Sequence, residues 1–311
     1  MNKIKKLLAI VLAAAMALAF GCAKTPAQPM QIAALKGPTG MGIAYLMQEQ
    51  SDRYTVELYD APDAVTAKFI NGEIDVAAVP INLAAALYNK TGGDAVVLAV
   101  NTLGVLYLIE VGDTVQSFAD LAGKTVYATG EGSTPEYVLS YLLEQNNLSD
   151  EVTVEFAGEH AALATMLASN EVTLGMLPEP NVSAVTLKNA DARVALDLNA
   201  AWEEASGVKL VQGCYIASRS YYDAHQKEIA DFLKDYAASV ERVNSDAGAA
   251  ALIASLAILP SEQIAAGAIP RANIVCLTGS EMRAAAEAML GVLYAANPKS
   301  VGGALPGGDL Y

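Results

Sequence analysis

The sequence predicts an α/β protein of two lobes that are joined by two extended crossover segments. Short apolar runs alternate with helical stretches along most of the chain, which is the pattern of crossover units around a largely parallel sheet. This alternation stops at residues 105–111 and then begins a second time. The chain beyond its amino-terminal segment, about 280 residues, also exceeds the size at which one hydrophobic core usually stops growing.

The first alternating series occupies residues 31–100. Its strands are short runs rich in Ala, Val, Ile and Leu, and Gly72 and Pro80 stand where a helix and a strand are expected to end. The predicted strands are 31–35, 54–59, 74–79 and 95–100, and the predicted helices are 41–49, 64–71 and 83–88, the last with Asn82 as its cap.

The second series begins at residue 124, and the chain afterwards returns to the first lobe. Its predicted strands are 124–128, 152–156, 172–177 and 193–198, and its predicted helices are 136–145, 161–168 and 181–188. Further predicted elements are a strand at 214–217, an amphipathic helix at 224–243, and helices at 249–257 and 281–293. With 105–111 and 214–217 as hinge segments, the predicted lobes are 30–108 plus 215–311 and 109–214.

The amino-terminal segment predicts export and a lipid anchor. Three lysines precede an apolar run at 7–20, the layout of a secretory signal peptide (1–21), and this run is shorter than the roughly 20 residues that a membrane-spanning helix needs. Cys22 follows directly, and the junction resembles a bacterial lipobox, in which the cysteine is lipidated. Residues 22–29 would then be a flexible tether that holds the protein at the outer side of the cell membrane. The alternative is a plain signal peptide with an incidental cysteine.

The charge and the cysteines exclude several classes of protein. With 19 basic against 34 acidic side chains the net charge is −15, so the basic surface that nucleic-acid binding needs is not expected. Beyond the export segment the only cysteines are Cys214 and Cys276, and their wide spacing does not support a thiolate zinc site. No metal or cofactor is therefore predicted. The apolar surroundings of both cysteines favour core thiols, and a disulfide between them is left open.

Ligand contacts are predicted in the loops after the strands, because open parallel sheets bind ligands at the carboxyl ends of their strands. Two loops place glycines and a hydroxyl side chain before a helix: residues 37–40 with Thr39, and residues 130–135 with Ser133 or Thr134. Glycines let the backbone approach a ligand, the hydroxyl can cap the helix, and the first-turn amide groups suit an anion or a carbonyl. An ordinary turn with a cap is the alternative for each loop.

Two further junctions combine Pro and Asn where a strand gives way to a helix. Pro80 and Asn82 form the first, and Glu179 and Asn181 lie in the second. Glu179 is predicted to pair with a ligand's ammonium group or ring nitrogen or, as the alternative, with nearby backbone N–H groups. The predicted ligand contacts are Gly37, Pro38, Thr39, Gly40, Met41, Pro80, Asn82, Thr102, Gly130, Ser133, Thr134, Glu179 and Asn181.

Four stretches resemble the substrate-binding proteins of ABC importers, in the nitrate, sulfonate and taurine group that also includes thiamine-precursor binders. The stretches are 75–80 with Asn82, 121–135, 171–180, and Gly213-Cys214 with Arg219, Tyr221 and Tyr222. The resemblance implies a type II periplasmic-binding-protein fold whose lobes close on a small ligand. It also implies a protein that delivers a small polar organic molecule to a permease and catalyses no reaction. We expect it to be a monomer.

Two alternatives would use the same cleft. One is a lipoprotein that senses its ligand for a membrane receptor. The other is an enzyme, because some lyases and a synthase resemble this fold. His160 is then the histidine that could approach the cleft, and a surface or helix-cap histidine is the alternative for it. The export signal argues against an enzyme, since the fold-related enzymes are intracellular. Lys36 is the only basic residue near the predicted loops, which favours a small polar ligand over a strongly anionic one.

Overall fold

Residues 28–311 are described by the computed structural model, and they form two α/β lobes with one β-sheet each. The predicted signal peptide, the lipidation site at Cys22 and most of the predicted tether lie outside the described residues. Within residues 28–311, no helix is both long and apolar enough to cross a membrane. The predicted two-lobed α/β fold is confirmed.

The first lobe contains six strands, which come from both ends of the described chain. They are β1 (Met30–Leu35), β2 (Tyr54–Tyr59), β3 (Val76–Pro80), β4 (Val96–Leu103), β10 (Val211–Ala217) and β11 (Ile274–Leu277). Their order in the sheet is β11-β4-β10-β3-β1-β2. Strand β1 is parallel to β2 and β3, whereas β10 is antiparallel to β3 and β4, so the sheet is mixed.

The second lobe contains five strands from the middle of the chain. They are β5 (Leu106–Val111), β6 (Thr125–Ala128), β7 (Thr153–Phe156), β8 (Leu174–Pro178) and β9 (Ala192–Asp197), in the sheet order β7-β6-β8-β5-β9. Strand β6 is parallel to β7 and β8, and β5 is antiparallel to β8 and β9. In each sheet the strand next to a crossover is therefore antiparallel to its neighbours.

Helices pack on both sheets. Those before the second lobe are α1 (Pro38–Met41), α2 (Ala44–Glu49), α3 (Pro62–Ile70) and α4 (Ile81–Lys90). The second lobe has α5 (Thr134–Gln145), α6 (His160–Ala168), α7 (Asn181–Lys188) and α8 (Leu198–Ser206). The returning chain forms α9 (Arg219–Ala224), α10 (Gln226–Ser245), α11 (Ala249–Ser255), α12 (Glu262–Ala268) and α13 (Gly279–Ala296). Helix α10 buries Ile229, Phe232, Tyr236, Val240 and Val243, whose three- and four-residue spacing puts them on one face.

The chain changes sheet a few residues before each predicted lobe boundary. Leu106 to Leu108, predicted for the first lobe, pair with β8 and β9 of the second. Val211 to Cys214, predicted for the second lobe, pair with β3 and β4 of the first. The crossovers themselves are short: Gly104 and Val105 on the way out, and residues 207–210 on the way back. Strand pairing decides these limits, and the pairing partners are far away in sequence.

Two predicted helices begin later than expected, and each is preceded by a short helix that was not predicted. The predicted helix at 41–49 is α2, which begins at Ala44 after α1 has ended at Met41. The predicted helix at 224–243 is α10, which begins at Gln226 after α9 has ended at Ala224. The sequence also gave no expectation of α8, which begins with Asp197 accepting hydrogen bonds from the amides of Asn199 and Ala200.

Buried apolar side chains connect the two lobes as well as filling each one. One cluster includes Leu87 and Leu293 from the first lobe together with Leu106, Leu139 and Trp202 from the second. A second cluster fills the other face of the first sheet, and a third fills the other face of the second sheet. Among the described cysteines, the buried Cys214 and the half-buried Cys276 are both free thiols.

Candidate functional site

The candidate site lies between the lobes, where the strands of both sheets end. The chain leaves β1 and β3 at Leu35 and Pro80, and it leaves β6 and β8 at Ala128 and Pro178. A cavity of about 490 Å³ opens at the edge of this interface. It is lined by Lys36, Gly37, Asp60, Ala254, 257–260 and, from the second lobe, Pro180. This placement agrees with the rule that ligands bind at the carboxyl ends of strands.

A larger cavity of about 600 Å³ lies at the opposite end of the first sheet. Its walls include Met30, Arg53, Tyr54 and Asp75, which stand at or before the amino ends of β1, β2 and β3. Arg53 is already paired with Asp235 at 2.5 Å. We therefore place the ligand site between the lobes and not at this larger cavity.

The first-lobe loop at 37–41 positions its residues differently from the prediction. Gly37 occupies the N-cap position of α1 with a left-handed φ of 92°, and no side chain caps this helix. Thr39 therefore lies inside the first turn and does not cap it, contrary to the prediction. Gly40 is required by packing, because a Cβ there would stand 2.3 Å from the Leu35 carbonyl oxygen. Met41 is fully buried in the first-lobe core.

Thr39 borders a group of polar residues at the ends of β4 and β10. Asn101 donates from Nδ2 to the Thr39 carbonyl at 3.5 Å, and Thr102 donates from Oγ1 to Asn101 Oδ1 at 3.0 Å. Asn101 and Thr102 are fully buried. A Cβ at Gly213 would stand 2.7 Å from Asn101 Oδ1, so glycine permits this close approach. Neighbouring Gln212 has a buried Oε1 with no hydrogen-bond partner among the described residues.

Pro80 and Asn82 flank the start of α4 in the first lobe. The helix begins at Ile81 with Pro80 at the N-cap position, and no side chain caps it. Asn82 was predicted to be this cap, and the prediction is wrong because Asn82 lies within the helix. Its Nδ2 donates to the Ser300 carbonyl at 3.4 Å and so holds the carboxyl-terminal segment.

The second-lobe loop at 130–134 also leaves its helix without a side-chain cap. Gly130 has a left-handed φ of 78°, and the Ser133 hydroxyl donates back to the Gly130 carbonyl at 2.5 Å. Thr134 is the first residue of α5, with Pro135 following in the first turn, and no side chain caps the helix. The predicted capping by Ser133 or Thr134 is therefore wrong. The first-turn amide groups of α5 have no partner within the helix.

His160 joins this loop from the start of α6. Its Nδ1 shares a hydrogen bond of 2.5 Å with Oγ1 of Thr129, which follows β6 and is almost fully buried. Burial lowers the pKa of His160, and neighbouring Glu159 partly offsets that effect. The sequence singled out His160 but gave no sign of Thr129 as its partner.

Glu179 follows β8, precedes a cis peptide bond to Pro180, and has no exposed side-chain surface. It accepts hydrogen bonds from the Ser183 amide at 3.1 Å and the Ser183 hydroxyl at 3.0 Å. Arg271 of the first lobe donates from Nε to the same carboxylate at 2.5 Å. Asn181 is the half-buried first residue of α7. Arg271 lies in a short 3₁₀ turn (Ile269–Arg271), and nothing in the sequence pattern pointed to it.

Basic and metal-binding groups are sparse around the site. Lys36 pairs with Asp60 at 2.8 Å, and Arg271 pairs with Glu179 at 2.5 Å. Within residues 28–311 there is no cluster of His, Cys, Asp and Glu side chains that could hold a metal ion. The other polar groups described at these strand ends are mainly amides, hydroxyls, one imidazole and helix first turns.

Two α/β lobes joined by two short crossovers, with their strand ends meeting at one polar interface, define the class of two-lobed solute-binding proteins. Residues 40–258 match the family of periplasmic substrate-binding proteins of phosphonate ABC transporters. A comparison with curated proteins found no match. The chain belongs to this family of ABC-transporter substrate-binding proteins, and the predicted type II fold is confirmed.

Solved structures support the same fold. An ABC transporter protein from Parabacteroides distasonis is 23% identical, with a TM-score of 0.79 over 91% of this chain and 98% of its own. The periplasmic aliphatic sulphonate-binding protein of Escherichia coli is 20% identical, with a TM-score of 0.69 over 89% of this chain and 90% of its own. The alkanesulfonate-binding protein of Xanthomonas axonopodis, bound to MOPS, is 17% identical, with a TM-score of 0.62 over 86% of this chain and 93% of its own.

Proposed function

We propose that this chain captures a small organic oxyanion, of the phosphonate or sulfonate type, between its lobes and delivers it to an ABC permease. One observation carries the proposal. Helices α4, α5 and α6 all begin where strands end at the interface, and none of them has a side-chain cap. The first turn of α7 differs, because the Glu179 carboxylate accepts from its Ser183 amide. Uncapped first turns present amide donors and a partial positive charge, which together suit an anion.

The neutral polar groups of the first lobe complement these donors. Asn101 lies near the carboxyl end of β4, and Gln212 lies near the amino end of β10, which pairs with β4. The buried Oε1 of Gln212 lacks a donor, and an unsatisfied buried acceptor costs free energy that a bound hydroxyl or water would recover. A ligand with an anionic end and a polar end therefore fits both sides of the interface. A sulfonate is named in two of the similar structures.

The test is a binding measurement on the mature domain, residues 28–311. Methylphosphonate, ethanesulfonate, nitrate, thiamine and glucose are added singly, and the melting temperature and the binding heat are recorded. A ligand at 100 times its dissociation constant stabilises the folded state by about 2.7 kcal/mol, which is easily measured. Binding of methylphosphonate or ethanesulfonate without consumption supports the proposal. Binding of glucose or thiamine alone contradicts the proposed cargo, and consumption of the ligand favours the enzyme alternative.

We further propose that Cys22 is lipidated and that the protein acts outside the cytoplasm at the membrane surface. The charged, apolar and small-residue order before Cys22 supports this, as does membership of a periplasmic binding-protein family. Cys22→Ser should move the protein from the membrane fraction to the soluble fraction of cells. Cys276→Ser is the matched control, because it removes a half-buried thiol inside the domain and should leave the protein with the membrane. Membrane retention of Cys22→Ser would contradict the anchor.

A sensing role for a membrane receptor is the second candidate, and it would use the same site. Reconstitution separates the two roles: delivery predicts that the loaded protein stimulates ATP hydrolysis by its cognate permease complex. Sensing predicts ligand binding of equal strength without such stimulation.

A further inference from the structure

The buried carboxylate of Glu179, just after β8, is already paired with a positive charge from the opposite lobe. Glu179 has no exposed side-chain surface and accepts two hydrogen bonds from Ser183 and one from Arg271. The Arg271 side chain is itself 29% exposed, and its Nη2 also donates to Ser183 Oγ at 3.0 Å. The carboxylate thus has a complete set of donors before any ligand arrives.

Arg271 is held in this position by contacts that do not involve Glu179. The Tyr107 hydroxyl donates to the Arg271 carbonyl at 2.8 Å, and Asn273 Nδ2 donates to the Gly104 carbonyl at 2.6 Å. Helix α12, just before Arg271, lies close to Ser183: a Cβ at Gly267 would stand 2.8 Å from Ser183 Oγ. The backbone at Arg271 is therefore held beside the second lobe, where the guanidinium reaches Glu179.

From this arrangement we infer that Arg271 sets the specificity of the site against ligands that carry an ammonium group. The inference rests on the proposed oxyanion cargo and narrows it to phosphonates or sulfonates without a second, cationic end. Arg271 takes the place that a ligand's ammonium group would need beside Glu179. Specificity of this kind comes from an unfavourable arrangement for the wrong ligand as much as from contacts to the right one.

An ammonium ligand would have to displace the guanidinium to reach Glu179. The guanidinium is part of the same chain and donates one hydrogen bond to the Glu179 carboxylate and one to the Ser183 hydroxyl, so its effective concentration beside the carboxylate is high. If it were displaced, Arg271 would lose its partner at the lobe interface. If it stayed, the ammonium group would lie close to a like charge in a poorly solvated place. Both outcomes disfavour the cationic ligand.

The experiment compares ligands that match in size and polarity and differ only in this charge. The pairs are 2-hydroxyethanesulfonate against 2-aminoethanesulfonate, and 2-hydroxyethylphosphonate against 2-aminoethylphosphonate. Dissociation constants are measured by calorimetry on the wild-type domain, and the ratio within each pair is the readout. We expect the hydroxyl member to bind at least about tenfold more tightly, a difference of about 1.4 kcal/mol.

Three variants separate charge exclusion from a general loosening of the lobe interface. Arg271→Gln removes the cation and should shift the ratio toward the amino member by about tenfold. Arg271→Lys keeps one positive charge and should keep the wild-type preference. Gly267→Ala adds a Cβ that crowds Ser183 without changing any charge, so it should weaken both members of a pair equally and leave the ratio unchanged.

The outcomes are distinct. A wild-type protein that binds the amino member as tightly as the hydroxyl member overturns the inference, whether or not the variants fold. An unchanged ratio in Arg271→Gln also overturns it, while binding of any of the four ligands leaves the proposed function standing. If none of the four binds at millimolar concentration, the proposed cargo class is wrong and the inference falls with it.

Discussion

Individual polar side chains at the interface bond mainly to one another or to nearby backbone. Thr102 bonds to Asn101, Ser133 bonds to the Gly130 carbonyl, and Thr129 bonds to His160. These local bonds fix side-chain positions before a ligand arrives, which lowers the entropy lost on binding. They also leave the helix first turns free of side-chain caps, which is the feature that favours an anion.

Affinity for a sulfonate should increase as the pH falls, and His160 is the expected cause. Burial lowers the pKa of His160, so the imidazole is neutral in the ligand-free protein near neutral pH. A bound anion favours the charged imidazolium and raises this pKa, so binding takes up a proton. The gain in affinity should appear as the pH falls toward and below the ordinary histidine pKa of about 6.5. A sulfonate is the right ligand because its own charge stays constant over this range.

The measurement is the dissociation constant of the bound sulfonate from about pH 8 to about pH 5. His160→Gln should remove most of the pH dependence, because a glutamine side chain does not take up a proton. Equal pH dependence in wild type and His160→Gln would show that another group takes up the proton.

Thr39→Ala and Thr134→Ala should each weaken ligand binding by about three- to tenfold with little change in fold stability. Thr39 lies in the first turn of α1 beside Asn101, and Thr134 begins α5. Neither hydroxyl caps its helix, so each is available to a ligand. Thr165→Ala is the control, since its exposed hydroxyl bonds to the Ala161 carbonyl within α6. Unchanged affinity in both variants would refute a clamp formed by these loops.

At the scale of single residues the sequence predicted the positions of the site loops better than the bonds within them. Glycine, proline and hydroxyl residues after apolar strands are visible in the sequence, and this identified 37–40 and 130–134. The partners Asn101, Thr129 and Arg271 were not predicted, because each contact depends on how distant elements pack. Glu179 illustrates the limit: Ser183 is four residues away and could be foreseen, whereas Arg271 is contributed by the other lobe.

At the scale of helices and strands, apolar periodicity predicted the series of elements but not where single elements break. Strands β1 to β4 and β6 to β9 all lie close to their predicted limits, because alternating or continuous apolar runs mark them locally. The short helix α1 and the break at Gly42 before α2 were not predicted. Tyr236 of α10, which is distant in sequence, occupies the space beside Gly42.

Gly42→Ala should destabilise the fold by about 1–3 kcal/mol, as overpacking of a core does. A Cβ at Gly42 would stand 2.3 Å from the Tyr236 hydroxyl and 2.8 Å from its Cζ. Tyr236 cannot move aside easily, because it is fully buried and packs edge-on against Tyr215. The free energy of unfolding from urea titration is the measurement.

Gly291→Ala is the matched control for this prediction. Gly291 lies inside α13, and a Cβ there would meet nothing within 4 Å. The substitution should stabilise the protein by about 0.5–1 kcal/mol, because alanine restricts the unfolded chain. Equal effects of the two substitutions would mean that the packing around Tyr236 adjusts freely.

At the scale of the whole molecule, two polar contacts far apart in sequence connect the lobes. Glu179 of the second lobe pairs with Arg271 of the first, and Asn297 Nδ2 of the first lobe donates to the Tyr137 hydroxyl of the second at 3.0 Å. The sequence indicated two lobes and two crossovers, but it held no information on these contacts. Relative lobe position is set by pairs more than 90 residues apart in sequence.

The two crossovers also lie close together at Gly104. We therefore expect a side chain at this position to change the orientation of the lobes. A Cβ at Gly104 would stand 1.9 Å from Asn199 Oδ1 and 2.5 Å from Leu210 Cδ2. Asn199 in turn bonds to both the amide and the carbonyl of Leu106, the first residue of β5. Any side chain at Gly104 must therefore displace the group that fixes the outgoing strand and a residue of the returning crossover.

Gly104→Ala should thus change the angle between the lobes while each lobe keeps its own fold. We expect ligand affinity to fall about tenfold or more and the radius of gyration from small-angle X-ray scattering to change, with an unaltered circular dichroism spectrum. Gly158→Ala is the control, because Gly158 lies on the second lobe with nothing within 4 Å of its added Cβ. Wild-type affinity and dimensions in Gly104→Ala would show that Asn199 and Leu210 yield without moving the lobes, and the hinge would then have to lie elsewhere.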